Sequence, residues 1–355
     1  MKNKEHKLFI VDYIYAQGHQ SVNFDIVSIL SQNFKIRMVA LENFYSVKQK
    51  KNFTDLGVEL IEYKMRYKKV NRYNSRINSI KHMIISSKYY MKEDLIVVLA
   101  FDTIAFLLGE LFLPRTCRKI LFHHNNTDEL VSIIKRIIFN IYKNHVYHFL
   151  FQEDFCEYLS KKIKVDGKKL YYVPHPIHLR PKGKNIQLNT IVGLCRSVDE
   201  SVVENFMENE FFLNQSDIKI ILRSKRYRFE SNNLKIINGF LEEAKYLEYL
   251  DIAAYILVLL PETFQFRISG SIYDAISYGK IVLTNNRIKF NYFNTYYPGL
   301  CYYISNIEDV ISILDNNSIN IEQFNQSYKD FINNHLPERI EQHYKNAICS
   351  VYLYN

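Results

Sequence analysis

The sequence predicts an α/β protein made of two consecutive parallel-sheet domains, closed by a C-terminal helical tail. Three observations carry this. Short apolar runs alternate with helix-length amphipathic stretches along most of the chain. The alternation stops once, in the proline-rich segment VPHPIHLRPKGKN, and then restarts. The length, 355 residues, suits about two cores at roughly 150 residues per domain.

The first apolar run, LFIVDYIY, reads as a strand and not a signal peptide, because Asp12 interrupts it. FKIRMVAL, VELIEY, LIVVLA, KILFHH, VYHFLF and LYYV follow as further strands. Between them, NFDIVSILSQ and DELVSIIKRIIFNIY place apolar residues at i, i+3, i+4 and i+7 and read as helices. Leu95 to Leu113 is nearly long enough to span a membrane but contains Asp102, Gly109 and Glu110. A charge at that depth costs about 2.5–3.5 kcal/mol on insertion scales, so the stretch reads as a buried strand and a helix. Runs this uniformly apolar suit a parallel sheet covered on both faces. Pro174, Pro176 and Pro181 then remove backbone donors and disfavour helix, which marks a linker. TIVGLC, IKIILR, LKII, AAYILVLL, KIVLTN and CYYI resume the pattern, and helix dominates from Ile321. The expected domains are 1–178 and 179–320, both Rossmann-like, with the tail 321–355 packing back on the first. Sheets of this kind bind ligands beyond the carboxyl ends of their strands, and two of them facing each other enclose a cleft.

Composition narrows the class. Hydrophobic residues at 48% and charged residues at 23% exclude a disordered chain. Five widely separated cysteines with no CxxC pair argue against a disulfide framework or a zinc ribbon, and fit a reducing cytoplasm. The net charge of +9 is uneven: residues 1–178 hold 28 Lys and Arg against 17 Asp and Glu, and the remainder is slightly acidic. Within the first half, Lys64 to Lys92 carries nine basic residues and no acid, interleaved with Tyr and Met. Such a run suits an anionic surface (membrane, nucleic acid or phosphorylated substrate) or is a solvated basic helix. No reading-helix or RNA-binding motif accompanies it, which leaves a nucleic-acid-binding protein as the weakest of the functional readings.

The segment LVLLPETFQFRISGSIYDAISYGKIVLTNN is the most informative. A strand ends at Pro261 and Glu262, Arg267 follows, and Ser269, Gly270 and Ser271 open a helix that stops before Gly279. Free N–H groups at the helix start, two hydroxyls and a nearby arginine are the parts of an anion site. Ser269 as a plain N-cap is the alternative reading. Upstream, KILFHHNN ends a strand with His123 and His124; alternation sends one toward the strand's flank and the other toward the site edge. A histidine there acts as a general base or hydrogen-bond donor, or is a satisfied core residue. Asp12, within the first strand, and His19, in the loop that follows it, are further catalytic candidates, with a structural hydrogen-bonding role for Asp12 at least as open.

These segments resemble the GT-B glycosyltransferases, two-Rossmann-domain enzymes that use nucleotide-activated sugars, in particular bacterial members of the family 4 and family 1 type. YYVPHPIH is similar to the close of their first domain, and TIVGLCRS to the glycine-plus-arginine strand end that begins the second. LKIINGFLEEAKYLEYLDIAAYILVLLP resembles the run from the nucleotide-base loop to the donor strand, which implies a nucleotide contact for Phe240. RISGSIYDAISYGKIVL resembles the donor-diphosphate signature, with Asp274 and Ala275 as its acidic-Ala pair. The resemblance implies donor binding by Arg196, Arg223, Lys225, Arg267, Ser269, Gly270, Ser271 and Asp274, and favours His124 near the donor sugar. The acid that many retaining members carry eight positions before Asp274 is Phe266 here, so Glu262 is its candidate replacement at the donor sugar, and the stereochemical class stays open.

No Asp-x-Asp occurs in the chain, and the metal-holding glycosyltransferase architecture uses that motif. A leaving nucleoside diphosphate can instead be met by cationic side chains and N–H donors. The expected protein is therefore a metal-independent glycosyltransferase without a cofactor. It would move a sugar from a nucleotide-sugar to a glycan or lipid-linked glycan in surface polysaccharide biosynthesis, in the cytoplasm or peripherally at the inner membrane face. A nucleotide-sugar epimerase of the same twin-domain plan is the alternative.

Overall fold

The computed structural model describes residues 6–16, 19–65, 72–91, 95–113, 117–179, 186–195, 197–239, 241–315 and 318–353. The chain forms two compact units. The first comprises residues 1–176 together with 266–268 and 337–355; the second comprises 177–265 and 269–336.

The first unit holds seven strands: β1 (Lys7–Val11), β2 (Lys35–Leu41), β3 (Glu59–Tyr63), β4 (Leu95–Val98), β5 (Lys119–His123), β6 (Tyr147–Leu150) and β7 (Leu170–Tyr172). They lie in the order β3-β2-β1-β4-β5-β6-β7, all parallel. The strand order reverses between β1 and β4, the place where doubly wound sheets open a binding crevice. Successive side chains of β1 enter different cores: Leu8 and Ile10 on one face, Phe9 and Val11 on the other. This double burial makes the strands read as unbroken apolar runs.

The second unit repeats the plan. Its strands are β8 (Gln187–Gly193), β9 (Lys219–Ser224), β10 (Phe229–Glu230), β11 (Leu234–Asn238), β12 (Ala253–Val258), β13 (Ile281–Thr284) and β14 (Cys301–Tyr303), in the order β10-β11-β9-β8-β12-β13-β14. Only β10 is antiparallel, a two-residue edge strand paired with β11 that sequence reading missed because it is too short to show a period. The reversal here lies between β8 and β12.

Several boundaries differ from the sequence reading. Asp12 lies just past the end of β1, not within the strand. The helix read over DELVSIIKRIIFNIY is two, Asn126–Glu129 and Ile133–Tyr142, because the chain turns extended at Ser132. The helical tail is divided between the units. Helix Ile321–His335 stays with the second, where Ser327 Oγ donates to the Pro298 carbonyl at 2.6 Å and Phe331 packs on Tyr273. Helix Pro337–Leu353 stays with the first, where Ile340, Tyr344, Ile348 and Val351 join the core and Tyr344 Oη donates to Pro174 at 3.0 Å. Among the described residues, no helix is long and apolar enough to cross a membrane.

The basic run 64–92 is only partly a surface feature. Residues 66–71 and Lys92 lie outside the described residues. Met83 is fully buried and Tyr90 hydrogen-bonds Tyr13 inside the unit, whereas Tyr73 and Met91 are exposed. The aromatic and Met interleaving seen in the sequence is therefore in part core packing.

Gly193 ends the central strand β8 where its neighbours close in. A Cβ there would lie 2.8 Å from Leu222 Cδ2 and 2.9 Å from the Leu257 carbonyl oxygen, so only glycine fits. Gly193→Ala should destabilise the second unit by about 1–3 kcal/mol, the usual cost of overpacking. Gly270→Ala meets nothing within 4 Å and should leave the thermal midpoint nearly unchanged. Equal midpoints for the two variants in a calorimetric scan would contradict this account of β8.

Candidate functional site

At the carboxyl edge of the first sheet the chain leaves β1 through a tight turn organised by Asp12. Its Oδ1 accepts from the backbone N–H groups of Ile14 (2.7 Å) and Tyr15 (2.8 Å), and its Oδ2 accepts from Asn23 Nδ2 (2.7 Å). The turn forces Tyr15 to φ 51, a left-handed conformation that a bulky residue seldom adopts without such bonds. Burial pushes the Asp12 carboxyl up to about 6 against the pull of its three donors. With both oxygens engaged, Asp12 fixes the turn that leads to His19.

His19 begins helix Gln20–Ser31, and its ring stacks on His124 with centroids 4.4 Å apart. His124 follows β5 directly, close to the Leu99 backbone just beyond β4, which offsets part of the lowering of its ring. Among the described residues its Nε2 is buried with no partner, and so is Nδ1 of His19. Phe151, after β6, packs on both His124 and His175, 5.1 Å from each. Burial pushes His124 well below the ordinary histidine value, with His19 and His175 adding to the shift, and burial lowers His19 to about 4. The ends of β1, β4, β5, β6 and β7 thus converge on neutral imidazoles.

His123 points the other way, into the sheet. Its Nε2 lies 2.9 Å from His148 Nδ1, and His148 Nε2 donates to the Lys143 carbonyl at 2.7 Å. It is a core histidine with its hydrogen bonds made.

The segment Phe266–Ile268 belongs to the first unit. Phe266 N–H donates to Asp128 Oδ1 at 2.6 Å, its ring stacks on Tyr158 at 3.9 Å, and Arg267 Nε lies 2.8 Å from Asp128 Oδ2. Arg267, expected at a diphosphate, is therefore already neutralised by Asp128. No sequence signal pairs two residues so far apart.

In the second unit the expected donor residues follow the carboxyl ends of β8, β9, β11 and β12. Arg196 and Phe240 lie outside the described residues. Arg223, on β9, donates through Nε to the carbonyl of Gly239 at 2.7 Å, and Gly239 takes φ 100, a turn that favours glycine. The next turn is shaped by Ser224: its hydroxyl donates to Glu200, accepts from the N–H groups of Arg226 and Tyr227, and leaves Lys225 exposed.

The loop after β12 is tied down from β13. Asn285 Oδ1 accepts from Leu260 N–H at 2.7 Å. Asn286 Nδ2 donates to the Pro261 and Phe264 carbonyls, and Lys289 Nζ to Gln265 at 2.6 Å. These three residues, which sequence reading did not single out, present Glu262 in an exposed turn. Helix Gly270–Ser277 then starts with Ser269 buried at the N-cap position, where its side chain makes no capping hydrogen bond. Gly270 is open, Ser271 is half-buried, and Asp274 lies on the exposed side. The start of this helix, and separately the turn after β9 with Arg223 and Lys225, each have the character of an anion-binding edge. Among the described residues, no group of three or more His, Cys, Asp or Glu is placed to hold a metal ion.

The buried histidines fix how the protein responds to acid. Burial lowers His19 and His148 to about 4 and His82 to about 3, and lowers His123 and His124 as well. As pH falls below the ordinary value of 6.5, the unfolded chain takes up these protons before the native one, so stability falls. Asp12 acts in the opposite sense: its raised native value makes the native state take up a proton first, between about 6 and 3.8. The melting temperature should drop steadily from pH 7 to pH 5, and Asp12→Asn should steepen that drop by removing the compensating proton. The turn can accommodate the amide of this variant, because Asn23 Oδ1 has no partner among the described residues and can rotate to accept from it. A shallower acid limb in Asp12→Asn would show that the carboxyl is not raised.

No family model matches the sequence, and no curated protein matches it. Solved structures match its fold over nearly the whole length. Anabaena Alr3699/HepE, solved in complex with UDP-glucose, superposes with a TM-score of 0.63 at 10% identity, covering 97% of this chain and 99% of that one. Arabidopsis thaliana UGT89C1, complexed with UDP, gives 0.60 at 9% identity over 98% and 100%. The UDP-GlcNAc 2-epimerase from Neisseria meningitidis, bound to UDP-GlcNAc, gives 0.54 at 12% identity over 99% and 100%. At such identities the likeness is one of fold, and the fold this chain takes is GT-B, shared by glycosyltransferases and nucleotide-sugar epimerases.

Proposed function

We propose that the protein is a glycosyltransferase that moves a sugar from a nucleotide diphosphate-sugar to a glycan or lipid-linked glycan acceptor in surface polysaccharide biosynthesis, without a metal ion. The observation that carries this reading is His124: a buried neutral imidazole at the carboxyl edge of the first sheet, its Nε2 without a partner among the described residues. A buried lone pair without a donor is costly unless something arrives to use it. An acceptor hydroxyl does so. It donates its hydrogen bond to Nε2 and attacks the anomeric carbon while its proton passes to the ring. An anionic substrate raises the pKa of the imidazole toward the working range as it binds. The leaving nucleoside diphosphate gains negative charge, met by Arg223, Lys225 and the N–H groups at the start of helix Gly270–Ser277. His19, stacked on His124, holds the ring plane, and Glu262 reaches the donor sugar from its exposed turn.

A nucleotide-sugar epimerase is the second reading, supported by the equal fold likeness to UDP-GlcNAc 2-epimerases. The two differ in what happens to the nucleotide-sugar alone. An epimerase inverts a sugar carbon with no acceptor present; a transferase leaves the configuration unchanged until acceptor is added. Proton NMR of nucleotide-sugar incubated with the protein separates them.

A thermal-shift panel of UDP-, GDP-, ADP- and CMP-sugars should single out one nucleotide, which at 100 times its Kd adds about 2.7 kcal/mol. A flat panel counts against any nucleotide-sugar enzyme. With that donor, EDTA should leave turnover unchanged. His124→Ala should lower kcat by about a hundredfold or more while the donor-induced thermal shift persists. Wild-type turnover in His124→Ala removes the imidazole from the reaction.

A further inference from the structure

Helices Arg72–Ser87, Thr103–Glu110 and Ile133–Tyr142 pack side by side in that order on one face of the first sheet. Their inner sides share a core with the strands: Met83, Phe106 and Phe139 cluster with Phe9, Val11 and Val98. If water were their only other neighbour, the outer sides would be polar. They are not. Ile133, Ile134, Ile137 and Ile141 are 72%, 68%, 59% and 56% exposed. Leu108 on the middle helix, and Leu111 and Phe112 just beyond it, extend the same surface. On the first helix Tyr73, Ile77 and Ile84 are exposed at helical spacing, on one side. Single exposed apolar residues are ordinary, but a set spanning three adjoining helices marks an interaction surface.

Charge identifies the occupant. Helices Arg72–Ser87 and Ile133–Tyr142 together carry five cations and no acid. Glu110, the one acid of the middle helix, sits 3.5 Å from Lys119. Arg76 and Lys135 are paired with Asp102 and Glu129, while Arg136 and, just past the first helix, Lys88 stand at the surface. Two copies of this face would bring like charges together. Hydrocarbon meets the isoleucines and anionic headgroups meet the cations only at a lipid surface. We propose that this three-helix face docks the protein on an anionic bilayer, with helix Ile133–Tyr142 lying in the headgroup plane. The inference deepens the glycosyltransferase reading, on which it rests for its purpose: it brings the enzyme to a lipid-linked acceptor.

The chain contains no Trp, so a single introduced one reports its own surroundings. Ile137→Trp should shift its emission to the blue with phosphatidylglycerol-containing vesicles at low salt, and not with phosphatidylcholine vesicles. Phe211→Trp, exposed on the second unit, should not shift with either. Ile134→Glu combined with Ile137→Glu should cut co-sedimentation with the anionic vesicles at least tenfold at an unchanged melting temperature, since both sites are exposed. An unshifted Ile137→Trp overturns the proposal, as does equal vesicle binding by wild type and double variant. So does a dimer in sedimentation velocity that the double variant abolishes while vesicle binding is absent. Docking is read without sugar transfer, so lost docking with transfer intact sinks this inference alone, whereas docking with no transfer to any acceptor sinks the enzyme reading alone.

Discussion

A parallel sheet buried on both faces leaves its strands almost no place for a polar side chain, and the rest of this protein follows from that constraint. In β1 four consecutive residues, Leu8 to Val11, are almost fully buried, and the first polar side chain after them, Asp12, appears where the strand stops. The same holds after β5 and β7, where His124 and His175 follow the last apolar positions, and at the end of β9, which Ser224 closes and Lys225 follows. Chemistry therefore collects at the carboxyl edges, and strand order decides which edges meet. Both sheets reverse their order beside the first strand, so the loops after β1 and β4, and after β8 and β12, lie at the switch point where such sheets bind ligands.

The two edges are built differently. The edge of the first sheet is dry and neutral: burial keeps His19 and His124 uncharged, and the turn is held by a carboxyl whose oxygens are all used. Such a place favours a group that must accept a proton or a hydrogen bond, and it disfavours a standing charge. The edge of the second sheet is wetter and cationic, with Arg223 and Lys225 near solvent and an uncapped helix start. It suits a ligand that arrives already charged. That division of labour is the physical content of the twin-domain plan.

Period and punctuation made most of the fold legible in the sequence. Apolar runs bounded by turns marked thirteen of the fourteen described strands; β10 escaped because two residues carry no period. Alternation along β5 separated His123 from His124, though only the fold could show which faced the core: His123 is locked to His148, and His124 is not. The position of Ser269–Ser271 at a helix start was legible because glycine and small hydroxyl residues punctuate helices. Arg267 was not legible in the same way. Its partner, Asp128, is distant in sequence, and an ion pair depends on where the chain returns, which local pattern does not encode. The same reason hid Asn285, Asn286 and Lys289, whose work is to hold a loop that belongs to another strand.

The uneven charge of the sequence has a structural counterpart. Residues 1–178 carry the whole excess, yet the first unit's histidine site uses none of it, because burial keeps its imidazoles neutral. Nor does folding require it, since exposed cations contribute little to stability and like charges at close range oppose it. What remains is the outer surface of the helices that cover the sheet, where cations sit among exposed isoleucines. A chain that buries apolar residues so thoroughly in its sheets, and leaves them bare on one helical layer, has kept that layer for a neighbour other than water.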